Sequence, residues 1–131
     1  APAEPEILRL NSIQHLYTPM QANLNDNTHI LQLVSELHPT PALGGYPRSA
    51  AMKAILDVET EPRGWYASPV GWFDRHGDGT FAVAIRSAVR RGASVRLYAG
   101  AGIVAESDWG AEWAETQLKF NPLAYGLGIE L

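Results

Sequence analysis

Residues 65–104, WYASPVGWFDRHGDGTFAVAIRSAVRRGASVRLYAGAGIV, decide the fold. Aromatic and β-branched residues are concentrated in 65–73, and the His-Gly-Asp-Gly that follows is typical of a turn. Apolar and polar residues alternate over 80–89, and Gly92 allows a hairpin into 94–104. The pattern therefore predicts a succession of antiparallel strands joined by short turns.

Helical patterns lie on both sides of these strands. Apolar residues recur at helical spacing over 28–37 and 49–59, and Ser49 is the expected N-cap of the second helix. A third helix is expected to begin near Asp108 and to end before Asn121, because the proline that follows disfavours helical backbone there. Hairpin strands with segregated helices predict an α+β fold, an antiparallel β-sheet with helices packed on one face.

The remaining segments define the expected domain. Mixed alternation over 7–17 predicts another strand, and the Pro- and Gly-rich residues 38–47 predict a loop. Residues 1–6 lack Met and are expected to be a linker or the cut end of a longer polypeptide, with 7–131 the C-terminal portion of a domain. The upstream part of the same polypeptide is then an expected partner of this chain.

The composition is that of an ordinary globular domain. Of the 131 residues, 46% are hydrophobic and 18% are charged, with a net charge of −4 and no basic stripe, which argues against a nucleic-acid partner. The absence of cysteine excludes a disulfide framework and thiolate metal sites. No apolar run reaches membrane-spanning length and no signal peptide is evident, so we expect no membrane partner and a cytoplasmic location.

A candidate metal and anion site lies near the end of the chain. The small residues 99–102 form a turn that exposes its backbone, and Glu112, Glu115 and Lys119 recur at helical spacing on one face. Two carboxylates suit Mg²⁺, which completes its octahedron with water and an anionic substrate. The alternative is a solvated helix face with ion pairs, which is the commoner origin of this spacing.

Four strings together resemble the chorismate-binding enzymes, a family that includes isochorismate, anthranilate, aminodeoxychorismate and salicylate synthases. The resemblance extends from about Leu8 to Leu123 and implies the C-terminal part of the chorismate-utilising enzyme fold. The strings are Gln14-His-Leu16, His38-Pro-Thr-Pro-Ala-Leu-Gly-Gly45, Arg63-Gly-Trp-Tyr66 to Gly71, and Ala99-Gly-Ala-Gly-Ile-Val104 with Glu112-Trp-Ala-Glu-Thr-Gln-Leu-Lys119.

The resemblance implies roles for the charged residues of the candidate site. Glu115 matches a Mg²⁺ ligand of the family, and Glu112 matches a second acidic position near the metal. Lys119 matches a lysine that faces the substrate carboxylate region. Arg86 matches the arginine that grips the enolpyruvyl carboxylate, for which its planar fork of donors is well suited.

Other matches are to uncharged or weakly basic positions. Tyr66 matches an aromatic residue beside the enolpyruvyl group, and Gly100 and Gly102 would let backbone N–H groups approach a carboxylate. His15 matches a histidine on the ring side of the pocket. Each has a structural alternative: a core aromatic residue in a strand for Tyr66, a bulge for the glycines and a hydrogen-bonded structural histidine for His15.

Ala42 selects a branch of the family. The lyase members look like they have threonine here, whereas the isochorismate synthases look like they have alanine, as this chain does. The resemblance therefore implies Mg²⁺-dependent conversion of chorismate to isochorismate. A lyase activity or a non-catalytic chorismate-binding or structural fragment are the alternatives. The family's lysine base, glutamate acid and a further Mg²⁺ ligand would precede Ala1, so we expect the fragment alone to be inactive and prone to self-association. The pathway served, menaquinone, siderophore or salicylate, stays open.

Overall fold

The computed structural model describes residues 4–9 and 14–129. The chain opens with a hairpin in which β1 (Glu6–Arg9) pairs antiparallel with β2 (Gln14–Tyr17). The single strand predicted over 7–17 was therefore wrong, since the chain reverses between these two strands. Its segment 10–13 and part of the expected terminal linker, residues 1–3, lie outside the described residues.

Three helices follow. The first, α1 (Ile30–Leu37), confirms the predicted helix, and its N-cap is His29, whose Nδ1 accepts from the N–H of Leu31 at 3.2 Å. A four-residue helix, α2 (Pro41–Gly44), lies within the predicted loop. The third, α3 (Arg48–Val58), begins one residue earlier than predicted with Pro47 at the N-cap. The N-cap prediction for residue 49 was wrong because that residue lies inside the first turn.

The next hairpin pairs β3 (Pro69–Phe73) with β4 (Gly79–Val83). The predicted turn between them is confirmed, and Asp74 Oδ1 accepts there from the N–H groups of His76 at 2.8 Å and Asp78 at 3.1 Å. The strand predicted over 65–73 begins four residues late. Its first residues form a turn, since the φ of Ala67 is +62°, which is left-handed rather than extended.

A third hairpin pairs β5 (Ser87–Arg91) with β6 (Ser94–Tyr98) around Gly92, as predicted. The single strand predicted over 80–89 is instead divided between β4 and β5. Arg86, with a φ of +46°, leaves the extended conformation and redirects the chain between them. The predicted strand over 94–104 stops at the end of β6 because the following glycine-rich residues turn away.

The last element, α4 (Trp109–Gly126), begins at the predicted N-cap: Asp108 Oδ1 accepts from the N–H of Ala111 at 2.8 Å. The predicted end before residue 121 was wrong, because α4 continues through Pro122. Proline removes one N–H donor, but the turn beyond it is still hydrogen-bonded, with the N–H of Leu127 donating to the Leu123 carbonyl at 3.2 Å.

These elements confirm the α+β class. The strands form three two-stranded antiparallel sheets, β1–β2, β3–β4 and β5–β6, while α4 packs against β6 and α2 against α3. None of the helices in the described ranges is long and apolar enough to cross a membrane.

The core is small and the apolar surface is large. The accessible surface is 11000 Å², against about 6,800 Å² expected for a compact monomer of this mass. The apolar residues classed as buried within 4–9 and 14–129 are Ala67 and Ala124. All four tryptophans are more than half exposed, Trp109 at 85%. The chain therefore presents apolar faces that water does not favour.

Candidate functional site

A cavity of about 200 Å³ lies where α2, the turn before β3, the β4–β5 junction, the loop after β6 and α4 meet. Six of the nine site residues predicted from the sequence line it. They are Ala42, Tyr66, Arg86, Gly100, Gly102 and Lys119. The fold thus brings together residues from distant parts of the chain, since Ala42 and Lys119 are 77 positions apart.

Two residues with unusual backbone conformations line the cavity. Ala67 and Arg86 are the non-glycine residues with positive φ within the described chain, at +62° and +46°, and both line the cavity. Such conformations cost free energy and persist where the surrounding structure requires them. The Ala67 N–H donates to the Ala84 carbonyl at 2.9 Å, and this bond fixes the turn beside the β4–β5 junction. The junction in turn directs Arg86 to the cavity.

Lys119 joins α4 to the glycine-rich loop. Its Nζ donates to the Gly100 carbonyl at 2.9 Å and lies 2.6 Å from Oε1 of Glu115, one turn earlier on the helix. The side chain of Lys119 is 19% exposed, whereas that of Glu115 is 58% exposed. The ammonium group is therefore held at the cavity wall between a backbone carbonyl and a carboxylate.

The pKa of Glu115 is lowered by this arrangement. The hydrogen bond from Lys119 is the largest cause, followed by the charge of Lys119, with a smaller contribution from the charge of Arg86. Both cations favour the ionised carboxylate. The partner of this carboxylate, Lys119, lines the cavity, so Glu115 lies beside the cavity wall.

The residues near α4 fit Mg²⁺ as a partial ligand set. Glu112 and Glu115 lie one helical turn apart and supply the oxygen donors that Mg²⁺ prefers. Glu112 Oε1 accepts from Ser107 Oγ at 2.7 Å, so both carboxylates already have a hydrogen-bond partner. Throughout residues 4–9 and 14–129, no group of three His, Cys, Asp or Glu side chains lies close enough to hold a metal ion. Mg²⁺ binding therefore stays a prediction that needs further oxygen ligands.

The glycine-rich loop offers free backbone donors. In the part of the chain that the structure describes, the N–H groups of Gly100, Ala101 and Gly102 have no protein acceptor. A run of such N–H groups in a turn is suited to binding an anion. Gly102 has open space around the position of a Cβ atom, but a Cβ on Gly100 would lie 2.6 Å from Tyr66 Oη. A Cβ at position 100 would therefore require the tyrosine ring or the loop to shift.

Tyr66 is a wall of the cavity rather than a core residue of a strand. It lies in the turn before β3, and its ring stacks on that of Tyr98 with centroids 5.5 Å apart and planes at 13°. The stacked partner on β6 fixes the orientation of the ring, which directs its hydroxyl towards Gly100. The expectation that Tyr66 occupies a strand was wrong, and its position at the cavity follows from the turn.

Three predicted site residues do not line the cavity. Glu112 and Glu115 lie on α4, where Glu115 is paired with Lys119 of the lining and Glu112 with Ser107 outside it. His15 lies on β2, is exposed, and pairs across the hairpin with Leu8. Its predicted place on the ring side of a substrate pocket stays a prediction.

Sequence reasoning missed five further residues of the cavity, namely Leu43, Arg63, Ala67, Ile85 and Ala101. Arg63 stands in the same short string as Tyr66, and that position was the available signal. The left-handed conformation of Ala67 has no sequence signal, because alanine rarely adopts it. Among the residues that the structure describes, the lining with Arg63 has three cations, the others being Arg86 and Lys119, and no carboxylate.

Comparison with known proteins shows an extended similarity. A family model described as chorismate binding enzyme matches residues 1–128. The chain is 46% identical over 129 residues to isochorismate synthase MenF of Bacillus subtilis, covering 98% of this chain and 27% of that protein. It is 48% identical over 126 residues to the salicylate biosynthesis isochorismate synthase of Pseudomonas aeruginosa, covering 96% of this chain and 26% of that protein.

A solved structure has the same fold. The crystal structure of a Bacillus anthracis protein, DhbC, assigned as a 2,3-dihydroxybenzoate-specific isochorismate synthase, superposes with a TM-score of 0.93 at 40% identity. The match covers 98% of this chain and 35% of that chain. The chain spans about a quarter to a third of the length of the curated relatives it matches.

Proposed function

This chain belongs to the chorismate binding enzyme family, and we propose that it forms the substrate-clamping wall of a Mg²⁺-dependent isochorismate synthase. The reaction converts chorismate to isochorismate. The oxygen of a water molecule bonds to one ring carbon, a base takes its proton, and the ring double bonds shift. The hydroxyl on another ring carbon departs with a proton from an acid, so no atoms are gained or lost overall.

The observation that carries the proposal is the charge of the cavity. Within the described residues, three cationic side chains and a row of backbone N–H groups without a protein acceptor line the cavity. Arg63 and Lys119 are paired with carboxylates outside the lining, whereas no carboxylate of the described chain lies within 4.0 Å of Arg86. Chorismate is a dicarboxylate, with one carboxylate on the ring and one on the enolpyruvyl group. A cavity with fixed positive groups at two places suits an anion of this kind, because oriented donors need no reorganisation when the substrate binds.

Arg86 is the cation available for one of these carboxylates. Lys119 is paired with Glu115 and Arg63 is paired with Glu59, whereas the described part of the chain supplies no carboxylate within 4.0 Å of Arg86. We assign Arg86 to the enolpyruvyl carboxylate, as the resemblance implied. A bidentate arginine–carboxylate contact both holds and orients the group.

Tyr66 and the glycine-rich loop complete the clamp. Tyr66 lines the same cavity as Arg86 and lies beside the enolpyruvyl group in the proposed complex. The N–H groups of Gly100 and Gly102 would hold substrate carboxylate oxygens, while Lys119, anchored on the Gly100 carbonyl, contributes its charge to this side.

Mg²⁺ bound to Glu115, with Glu112 nearby, would stabilise negative charge that develops on the ring carboxylate. Among the described residues, the cavity lining contains no Asp, Glu or His, and its one lysine is already bound to Glu115 and the Gly100 carbonyl. We propose that the base and the acid of the reaction, and the remaining metal ligands, belong to the rest of a longer polypeptide. The curated relatives are three to four times the length that matches here, which supports this view.

The exposed apolar surface also supports an active site that is shared with another segment of the same polypeptide. About 4,000 Å² more surface is accessible than a compact monomer of this mass presents, by the scaling of area with mass. Trp109 and Trp113, on the same helix as Glu115, are 85% and 63% exposed. A further segment of the same polypeptide that packs on this face would bury the tryptophans and bring its own polar groups towards the cavity.

Ala42 favours isomerisation over elimination. Its methyl group lines the cavity and offers no hydroxyl to a leaving enolpyruvyl group. The similar proteins of Bacillus subtilis and Pseudomonas aeruginosa are both named isochorismate synthases, which agrees with this branch. The end product of the pathway, salicylate or another compound, is set by the enzyme that consumes isochorismate.

The test uses the full-length gene product that contains these residues, with chorismate and Mg²⁺. We expect isochorismate by chromatography, and pyruvate by a coupled lactate dehydrogenase assay only in trace amounts. Pyruvate as the main product would replace this proposal with a lyase activity. Titration calorimetry of the isolated 131-residue chain with chorismate, with and without Mg²⁺, separates binding from a purely structural role, since no heat at millimolar ligand would leave only the latter.

A further inference from the structure

Arg63 makes contacts with three separate parts of the chain. Its Nε and Nη2 donate to the Glu59 carboxylate at 2.8 and 2.6 Å, and its Nη1 donates to the Leu43 carbonyl at 2.9 Å. The guanidinium carbon lies 5.8 Å from the centre of the Tyr66 ring. One planar group thus connects the end of α3, the segment with Ala42 and an aromatic wall of the cavity.

The Leu43 carbonyl depends on this contact. Helix α2 ends at Gly44, and the N–H that would continue its hydrogen bonds to Leu43 belongs to residue 47, which is proline and has no N–H. Arg63 supplies the missing donor across 20 residues of chain. Removing it leaves a partly buried carbonyl without a partner, which favours movement of the short helix.

The charge of Arg63 is already neutralised. The hydrogen bonds to Glu59 are the largest cause that raises the pKa of Arg63 further above its ordinary value, against the opposing effect of burial. The two side chains, four residues apart in the chain, form an ion pair at 2.6 Å. A guanidinium held in this way contributes geometry to the site, because most of its donors are committed to the protein.

We propose that Arg63 is a positioning residue that sets the distance between Ala42 and Tyr66 and thereby keeps the reaction on the isomerisation branch. This inference rests on the isochorismate synthase function proposed above. Ala42 is adjacent to Leu43, so a shift of the Leu43 carbonyl moves the methyl group that lines the cavity. Tyr66 lines the same cavity, and its ring centre lies 5.8 Å from the carbon of the same guanidinium.

A loosened clamp is expected to allow elimination. In that reaction the ring C–O bond to the enolpyruvyl group of isochorismate breaks and a ring proton moves to the departing enol carbon, giving salicylate and pyruvate. Isomerisation requires the same group to be held still while water adds. The ratio of isochorismate to pyruvate therefore reports the geometry that Arg63 maintains. A general loss of stability would lower the total activity without changing this ratio.

The experiment compares Arg63→Gln, Arg63→Lys and Glu59→Gln in the full-length gene product. We expect Arg63→Gln to lower kcat/KM for chorismate by roughly ten- to a hundredfold, the scale of an ångström-sized misplacement, and to raise the pyruvate fraction. Arg63→Lys keeps the charge but cannot reach Glu59 and the Leu43 carbonyl together, so it recovers little. Glu59→Gln should fall between wild type and Arg63→Gln.

Arg90→Gln is the matched control. Arg90 also donates to a backbone carbonyl, that of Gly92 at 3.0 Å, but it lies in the β5–β6 hairpin and away from the cavity lining. We expect its kcat/KM and product partition to equal those of wild type. If Arg63→Gln folds and matches the control in both, the positioning role is overturned. If Arg63→Gln does not fold, an unchanged product partition in Glu59→Gln and Arg63→Lys overturns it.

A crystal structure of the Arg63→Gln or Glu59→Gln enzyme separates this inference from the proposed function. If Arg63 is a positioning residue, Ala42 and α2 move relative to Tyr66 in these variants. An α2 that superposes on that of the wild-type enzyme would contradict the positioning role even if chorismate is not the substrate. Conversely, a wild-type enzyme that makes no isochorismate contradicts the proposed function, whatever the position of Ala42.

Discussion

Lys119 Nζ lies 2.6 Å from Glu115 Oε1, so the cation at the cavity wall and the best metal-ligand candidate are directly coupled. An ion pair between two helix residues four apart is common on solvated surfaces and contributes little there. Here Lys119 also binds the Gly100 carbonyl and lines the cavity. The pair therefore connects the proposed metal side of the site to the proposed substrate side.

Replacing Glu115 with glutamine should weaken activation by Mg²⁺. The amide keeps the size of the side chain but loses the negative charge, so we expect half-maximal isochorismate formation to need roughly ten- to a hundredfold more Mg²⁺. Titrating activity against Mg²⁺ measures the shift. Glu106→Gln, a change on the exposed loop before α4, is the control. Equal Mg²⁺ dependence in both variants would remove Glu115 from the metal site.

The lowered pKa of Glu115 should rise towards its ordinary value when Lys119 is replaced by methionine, because the main causes of the shift are the hydrogen bond and charge of Lys119. A carboxyl whose folded pKa lies below its unfolded pKa contributes stability above the unfolded pKa, and that contribution is lost as the pH falls through the folded pKa. Titration of the Glu115 carboxyl carbon by NMR measures both pKa values. The same titration midpoint with and without Lys119 would show that the ion pair does not form in solution.

Ala42→Thr should move product formation towards elimination. The added hydroxyl enters the cavity at the position where the resemblance places a threonine in the lyase members. There it can hydrogen-bond the leaving enolpyruvyl group. We expect a measurable pyruvate fraction beside isochorismate in the coupled assay. Ala42→Ser adds the hydroxyl without the methyl group and is the matched comparison. Isochorismate alone from both variants would mean that position 42 does not select the branch.

Gly100→Ala should destabilise the protein because its Cβ would lie 2.6 Å from Tyr66 Oη, and the tyrosine is held by stacking on Tyr98. Overpacking of this kind costs about 1–3 kcal/mol. Adding Tyr66→Phe removes the atom that collides and should restore part of the loss. Denaturant unfolding of the single and double variants measures both effects.

Gly102→Ala is the control for that experiment, because a Cβ at position 102 meets no atom within 4 Å. Its free energy of unfolding should stay within about 0.5 kcal/mol of wild type, as for most surface changes. Similar losses for Gly100→Ala and Gly102→Ala would show that the close approach to Tyr66 is not what requires glycine at position 100.

The isolated 131-residue chain should self-associate. Its accessible surface of 11000 Å² exceeds that of a compact monomer, and exposed apolar groups such as Trp72 on β3 and Trp113 on α4 favour association. Light scattering across a concentration series should give a mass that rises above 14.3 kDa. A concentration-independent monomer would contradict the expectation and would mean that these faces are stable in water.

Local features of the fold were predictable from the sequence. The turns at residues 76–79 and at Gly92, helix α1, and the cap at Asp108 depend on residues a few positions apart, for which short-range sterics and hydrogen bonds decide the conformation. The relation between Glu115 and Lys119 is of the same kind, because four residues make one helical turn.

Element boundaries were less predictable where a single residue adopts an unusual conformation. The alternation over 80–89 gave no sign that Arg86 takes a left-handed φ, since arginine has no preference for it. Helix α4 continues past Pro122 although proline usually ends a helix. In both cases contacts with the rest of the fold outweigh the local preference.

By itself, the sequence determined the α+β class, the family resemblance and the identity of most candidate site residues, because these depend on local pattern and residue type. Only the tertiary structure decided that Lys119 reaches Gly100 from 19 residues away and that Arg63 holds Leu43 from 20 residues away. Contacts at such separations depend on how the turns before β3 and after β6 direct the chain. The physical reason is that side-chain chemistry is local, whereas the shape of a cavity depends on packing between distant segments.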